Sequence, residues 1–217
     1  GGLDSSAISA IASNYFKEHN RGTLNTYSID YRDNDKYFHS NLFQPTSDRF
    51  FAEKMSEYLK SSHHTIVLDN IELVEALKDA VSANDLPGMA DIDSSLLLFC
   101  REIRKDFTVA LSGECADEIF GGYPWFTRAE DINADTFPWS KSVKERRELL
   151  NKELSYLPLE EYVSQKYNDT IRRVPKLSRE SKEESRMREL FYLNIKWFMI
   201  TLLNRKDRMS MANSLEV

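Results

Sequence analysis

The stretch Phe107-Thr108-Val109-Ala110-Leu111-Ser112-Gly113-Glu114-Cys115-Ala116-Asp117-Glu118-Ile119-Phe120-Gly121-Gly122-Tyr123 decides how this chain is read. Phe107 to Leu111 is a short apolar run that predicts a strand. Ser112 to Gly122 predicts a loop and a short helix. Ligands of open α/β sheets bind at the carboxyl ends of strands, where this loop would sit. Ser112 and Gly113 permit close approach to a nucleotide. Glu114 and Asp117 lie three apart and share a face if the helix begins near Glu114. Carboxylates crowded at Glu114, Asp117 and Glu118 repel one another unless a metal or a cationic substrate sits among them. The plainer reading is a solvated first helical turn, where acids are favoured anyway.

The same pattern opens the chain. Gly1-Gly2-Leu3-Asp4-Ser5-Ser6 leads into a helix predicted over Ser5 to Asn20, with Ala7, Ile8, Ile11, Ala12, Tyr15 and Phe16 on one face. Ser5 or Ser6 can cap it. Paired glycines let the backbone approach a phosphate closely, and a helix N-terminus offers free N–H donors and a positive dipole end. The Ser5 and Ser6 hydroxyls add donors. Asp4 would repel pyrophosphate directly, so its sensible role is to hold Mg2+ against it. The loop is neither a Walker A sequence nor the G-x-G-x-x-G dinucleotide fingerprint. Its plainer reading is a turn and a helix cap.

Working outward, Leu24 to Tyr31 alternates as a strand, and a polar loop runs to about Ser47. Asp48 caps a helix carrying Phe51, Met55, Tyr58 and Leu59. His64 to Leu68 is a second strand. Asn70 caps a helix carrying Leu73, Val74, Leu77 and Val81. Leu86-Pro87-Gly88 breaks the chain before a helix over Ser94 to Arg104. Further helices are expected at Ser142 to Leu154 and Glu183 to Met211, around an aromatic loop holding Pro124, Trp125, Pro138 and Trp139. Leu177 to Glu184 is the best candidate for a mobile segment. Alternating strands and helices imply a twisted parallel sheet with helices on both faces. The expected fold class is α/β and Rossmann-like, with residues 1–122 as the core and 123–217 as a mainly helical part. With no initiator Met and a glycine pair at its start, the chain is expected to be an excerpt that begins after a central first strand. These residues alone should then be poorly stable.

Composition narrows the partners. The 217 residues are 41% hydrophobic and 12% aromatic, enough for a core, and carry a formal net charge of -6. That balance argues against a nucleic-acid partner, and no apolar run approaches a membrane span. Cys100 and Cys115 lack disulfide-framework or metal-ligand spacing, which makes a reducing, cytoplasmic setting the default. Cys115 reads as a small filler. His63 and His64 open a strand, point to opposite faces and read as structural; His19 and His39 read as exposed. Arg205, Lys206 and Arg208 are either a solvated helix end or the local positive charge for a triphosphate or a carboxylate.

A resemblance joins these signals. Gly1 to Ser6 looks like the Ser-Gly-Gly-x-Asp-Ser pyrophosphate loop of the ATP pyrophosphatase superfamily, missing its first Ser. Ser112 to Tyr123 resembles the Ser-Gly-Glu-x-x-Asp-Glu-x-x-Gly-Gly-Tyr motif of asparagine synthetases. Arg205 to Val217 looks like the start of that family's next signature, which normally runs on into Arg-Val-Pro-Phe. The resemblance implies an adenine nucleotide alpha hydrolase-like fold. It implies Gly1, Gly2, Asp4, Ser5, Ser6, Ile29, Ser112 and Gly113 as ATP-binding positions, with Ile29 against adenine. It implies Asp4 and Asp117 as Mg2+ ligands and Glu114 as general base of the acyl-adenylate step. A family lysine that helps the adenylation transition state would lie beyond Val217.

The activity so implied is ATP-dependent amidation of the aspartate β-carboxylate through β-aspartyl-AMP, releasing AMP and pyrophosphate. Nitrogen would come from ammonia, free or delivered by an upstream glutaminase domain. Rivals are a β-lactam synthetase, a peptide cyclase and a non-catalytic adenine-nucleotide sensor. A tRNA-modifying enzyme shares the first loop but needs a basic stripe that is missing here. Met89 to Ser95 is the candidate for part of the acceptor pocket.

Overall fold

A computed structural model of the chain describes residues 2–40 and 46–217. Gly1 and part of the polar loop before Ser47 lie outside the described residues. The chain divides into two compact units, Gly1–Glu114 with Leu202–Val217, and Cys115–Thr201. The boundary thus falls inside the Ser112–Tyr123 motif, not after it, and the last residues return to the first unit.

The first unit is built on a parallel pair. Strand β1 (Asn25–Tyr31) pairs with β2 (Ser62–Leu68) in continuous register from Asn25 opposite Ser62 to Tyr31 opposite Leu68. Parallel strands need a crossover, and it contains helices α2 (Asn34–Tyr37) and α3 (Asp48–Leu59). Alternation sends Tyr27, Ile29 and Tyr31 to one face and Thr26, Ser28 and Asp30 to the other. Helix α5 (Ala90–Arg104) covers the first face: its Cys100 and Ile103 pack with Leu215, Tyr27 and Ile66. On the second face Arg49 of α3 pairs with Asp30 at 3.6 Å. The α/β class with helices on both faces is therefore as expected. Helix α4 (Asn70–Asn84) packs along α5, with Ala80 against Leu97 and Met209.

Several local expectations change. Helix α1 (Leu3–Glu18) starts earlier, with Gly2 as its N-terminal cap and no side chain capping it; the Ser5 hydroxyl donates to the Gly2 carbonyl at 3.1 Å. Its inward row is Ile8, Ala12 and Phe16, while Ile11 is 72% exposed. Positions four apart stack in one row, and the wider stripe read from sequence spanned two rows. Helix α4 is capped by Asp69, not Asn70, through a full capping box with Glu72. Those backbone N–H bonds, from Glu72 and then Ile71, hold the Asp69 carboxyl below its usual range. Finally, Phe107 to Leu111 is not a regular strand. Val109 makes one isolated parallel bridge to Glu216, with Ala110 donating to Glu216 at 2.8 Å and Glu216 to Thr108 at 2.9 Å.

The second unit is helical. It holds α6 (Ala116–Phe120), α7 (Ala129–Ile132), α8 (Val143–Glu148), α9 (Leu159–Ile171) and α10 (Lys182–Leu193). A single wide helical turn, Asn194–Met199, then leads into α11 (Ile200–Met211). The long helices expected at Ser142 to Leu154 and Glu183 to Met211 are both interrupted. In the latter the π-type turn inserts where buried Asn194 donates to the Leu190 carbonyl at 3.0 Å. Leu177 to Glu184 ends in a capping box between Ser181 and Glu184, and Arg188 pairs with Glu180. The core joins Trp125, Phe126 and Leu190, beside Phe137, Tyr167 and Leu193. Trp125 and Trp139 meet at 5.7 Å between ring centroids.

Leu190 is 0% exposed. Leu190→Ala should cost about 2–5 kcal/mol of stability, whereas Ile11→Ala should stay within about 0.5 kcal/mol. Denaturant unfolding of the two variants checks both values.

Candidate functional site

The site begins where two loops touch. Gly113 has no side chain, and a Cβ placed there would lie 2.9 Å from the Ser5 nitrogen and 3.0 Å from the Asp4 Cβ. Only glycine permits that approach. It brings the Ser112–Glu114 loop against the first turn of α1, so Asp4, Ser5, Ser112, Gly113 and Glu114 form one neighbourhood. The Ser112 hydroxyl accepts from the Glu114 N–H at 3.2 Å. Among the described residues no side chain caps α1, and the first N–H groups of a helix have no partner within it.

Glu114 is the charged centre. Its Oε1 is 3.2 Å from Arg205 Nη2 and its Oε2 is 3.2 Å from Lys206 Nζ. Both cations come from α11 and are shielded; Lys206 is 8% exposed. The sequence left them open between a solvated helix end and local positive charge, and burial rules out the solvated end for Lys206. Arg208 behaves differently: it is exposed and pairs with Asp85 at 2.7 Å.

After Glu114 the backbone turns. Cys115 takes a left-handed φ of 76° and precedes α6, which starts at Ala116. Glu114 is therefore outside the helix, and it does not share a helical face with Asp117 as expected. The turn gives the two carboxylates different neighbours. Asp117 lies on α6 in the second unit, with its carboxylate occupying the space a Cβ on Gly122 would need. Gly121 ends α6 at a left-handed φ of 79°. Glu118, the third acid, is 1% exposed and accepts from the Tyr123 hydroxyl at 2.5 Å. It is a structural acid, so the three carboxylates do not crowd one ion.

A cavity of about 400 Å³ opens beside Glu114. Its polar end is lined by Ser5, Ser112, Gly113, Glu114 and Lys206. Its apolar wall includes Ile8, Ala12 and Phe16 of α1, Phe99 and Cys100 of α5, and Val109. Ile29 is outside this lining and sits mid-strand opposite Ile66. Ser6 follows in the first turn of α1, donating its N–H to the Gly2 carbonyl at 3.1 Å.

Other candidate residues have partners within the first unit. His63 is hydrogen-bonded to Thr26 and Ser28, each at 2.9 Å, and burial followed by the neighbouring His64 lowers its pKa from the ordinary value. His64 stacks on Tyr27 at 4.6 Å. Of the acceptor-pocket segment, Met89 donates its N–H to Asp93 at 3.0 Å, and its sulfur contacts Arg205 at 3.7 Å. Ser95 accepts from the Tyr31 hydroxyl at 3.1 Å.

Asp4 in the first unit and Asp117 in the second are each hard oxygen donors of the kind Mg2+ takes, and the cradle at Gly113 with the start of α1 suits a phosphate. Among the described residues no group of three His, Cys, Asp or Glu side chains forms a metal cage.

A Rossmann-like α/β domain with two glycine-and-acid loops at helix starts is the class these features define. The asparagine synthase family profile matches residues 1–217. Asparagine synthetase [glutamine-hydrolyzing] 3 of Bacillus subtilis is 55% identical over 218 residues, covering 100% of this chain and 35% of its own length. The chicken and mouse asparagine synthetases [glutamine-hydrolyzing] are 28% and 29% identical over 159 residues, covering 71% of this chain and 25% of their own. This chain belongs to the asparagine synthase family. It spans 35% or less of the length of these relatives. No described helix is long and apolar enough to cross a membrane.

Burial pushes the Cys100 thiol up to about 11, partly offset by Lys206 and reinforced by Glu114. At pH 8 roughly one thiol in a thousand is then thiolate. Iodoacetamide should modify Cys100 very slowly at pH 8, with a rate rising about tenfold per pH unit towards pH 11. Mass spectrometry of the alkylated peptides checks this.

Proposed function

We propose that the protein of which this chain is part is an ATP-dependent ligase that converts aspartate to asparagine, releasing AMP and pyrophosphate. The observation that carries the reading is Glu114. It is a charged carboxylate at the polar end of a cavity, joined through Gly113 to the Asp4–Ser5 loop, in a chain matched by the family profile over its full length.

The chemistry follows from the weakness of a carboxylate as an acylating agent. Oxide cannot leave. Attack of the β-carboxylate on the α-phosphorus of ATP, with loss of pyrophosphate, gives β-aspartyl-AMP, from which AMP can leave. Gly1, Gly2, Ser5, Ser6 and the free N–H groups of α1 receive the pyrophosphate portion. Ser112 and Gly113 lie against the nucleotide, and Ile29 contacts adenine. Asp4 and Asp117 would hold Mg2+, which would neutralise charge on the phosphates. Positioning and charge stabilisation are the protein's share.

Ammonia then attacks the acyl carbon, and a base must take a proton as the tetrahedral intermediate collapses to amide and AMP. Glu114 is that base. Both its oxygens are engaged by cations at 3.2 Å, and a carboxylate released from one of them accepts a proton more readily. In the full-length protein a glutaminase domain would supply the ammonia; the relatives named as glutamine-hydrolysing are far longer than this chain.

Pyrophosphate release from MgATP by the full-length protein, with ammonium and a panel of carboxylates, tests the reading. Release that requires aspartate and equals asparagine formed supports it. Release with another carboxylate moves the protein to a sister chemistry such as lactam or peptide ring closure. ATP binding with no release for any acceptor supports a nucleotide sensor and sinks the proposal.

Two substitutions refine the roles. Glu114→Ala should abolish amide formation, by a factor of about 100 or more, while ATP binding persists. Asp4→Asn should raise the Mg2+ concentration needed for half-maximal turnover, with the thermal midpoint nearly unchanged.

A further inference from the structure

Glu114 faces more positive charge than it can balance. Among the described residues, Arg205 and Lys206 make no ion pair except with this one carboxylate. Lys206 is 8% exposed, and its side chain lines the cavity together with Ser5, Ser112 and Gly113. Arg205 Nε is buried with no hydrogen-bond partner, while its Nη1 reaches only the weakly accepting sulfur of Met89. A buried positive charge without a full counter-charge is costly and is stabilised by an incoming anion. An ammonium has three donors, and one carboxylate oxygen occupies one of them.

We propose that Lys206 is an anion-receiving residue that changes partner on ligand binding. In the ligand-free site it is held by Glu114 Oε2. When an anionic oxygen enters the polar end of the cavity, Lys206 turns to it and leaves Glu114 held by Arg205 alone. The freed oxygen is then available to accept a proton, so arrival of the anion and readiness of the base become one event. Arg205 is a positioning residue that keeps Oε1 oriented throughout. The anion is a phosphoryl oxygen of the nucleotide or the carboxylate of the acceptor. The link to base release rests on the role proposed for Glu114, whereas the exchange of partners can be tested without turnover.

The test is calorimetric titration of the full-length protein with MgATP and, separately, with aspartate in the presence of AMP. Glu114→Gln keeps the shape and removes the competing charge, so the anion that Lys206 receives should bind about three- to tenfold tighter. Lys206→Met should weaken the same ligand by about tenfold or more, and Lys206→Arg should recover most of the loss. The ligand whose affinity moves identifies the anion. Thermal midpoints are measured alongside, because a purely structural pair would lower them and leave affinity unchanged.

If Lys206→Met fails to fold, Glu114→Gln alone decides. Tighter binding supports the exchange, and unchanged or weaker binding of both ligands overturns it. Affinities that move as stated in a protein forming no asparagine uphold the exchange and remove the proposed activity. Asparagine formation with unmoved affinities does the reverse.

Discussion

One carboxylate between two shielded cations fixes the geometry of the first unit's site. Glu114 draws residues from two distant stretches together, the loop after Leu111 and the helix α11. With Glu114 held, Gly113 meets the start of α1 across a gap no side chain could share. Removing the Glu114 carboxylate would leave both cations shielded and unbalanced, the situation proteins avoid most strongly. The surrounding structure supports this arrangement. Strand β1 with α1 and α5 forms the wall, and α11 delivers both cations from adjacent positions.

The backbone at Cys115 sets what the loop can do. A left-handed residue other than glycine is uncommon and carries strain. Here it separates Glu114 from the helix that begins at Ala116. Without that turn, Glu114 and Asp117 would share a helical face and compete for the same counter-charge. With it, Glu114 faces α11 while Asp117 lies against Gly122. Two acids close in sequence thereby acquire separate tasks, base on one side and metal ligand on the other in the proposed reaction.

Much of this was legible in the residues, and the failures have physical reasons. The α/β class followed from period-two and helical patterns that local sequence carries directly, in β1, β2 and α5. The helix start at Leu3 was missed because Ser5 looked like a cap, whereas its hydroxyl donates to the Gly2 carbonyl. The expected strand at Phe107 to Leu111 had the right composition, yet one bridge to Glu216 is all the pairing it finds within the described residues. Apolar alternation reports burial and says nothing of how many rungs a neighbour offers. The loop residues Asp4, Gly113 and Glu114 were readable because glycine and acid types constrain the backbone and the charge. Arg205 and Lys206 were readable only as two alternatives, since no local spacing links them to Glu114, a partner far back in the chain. The family resemblance named the loops and left these two cations without a role.

Charge explains why those cations matter. A chain with a formal net charge of -6 repels anionic ligands at long range, and exposed lysines would be screened and weak. Burying the positive charge beside the cavity solves this, because attraction strengthens where water is excluded. An unbalanced buried cation would itself threaten the fold. Glu114 removes that threat in the ligand-free state and is the group that must be uncovered when the anion arrives. Stability without ligand and readiness with ligand are thus two states of the same three side chains.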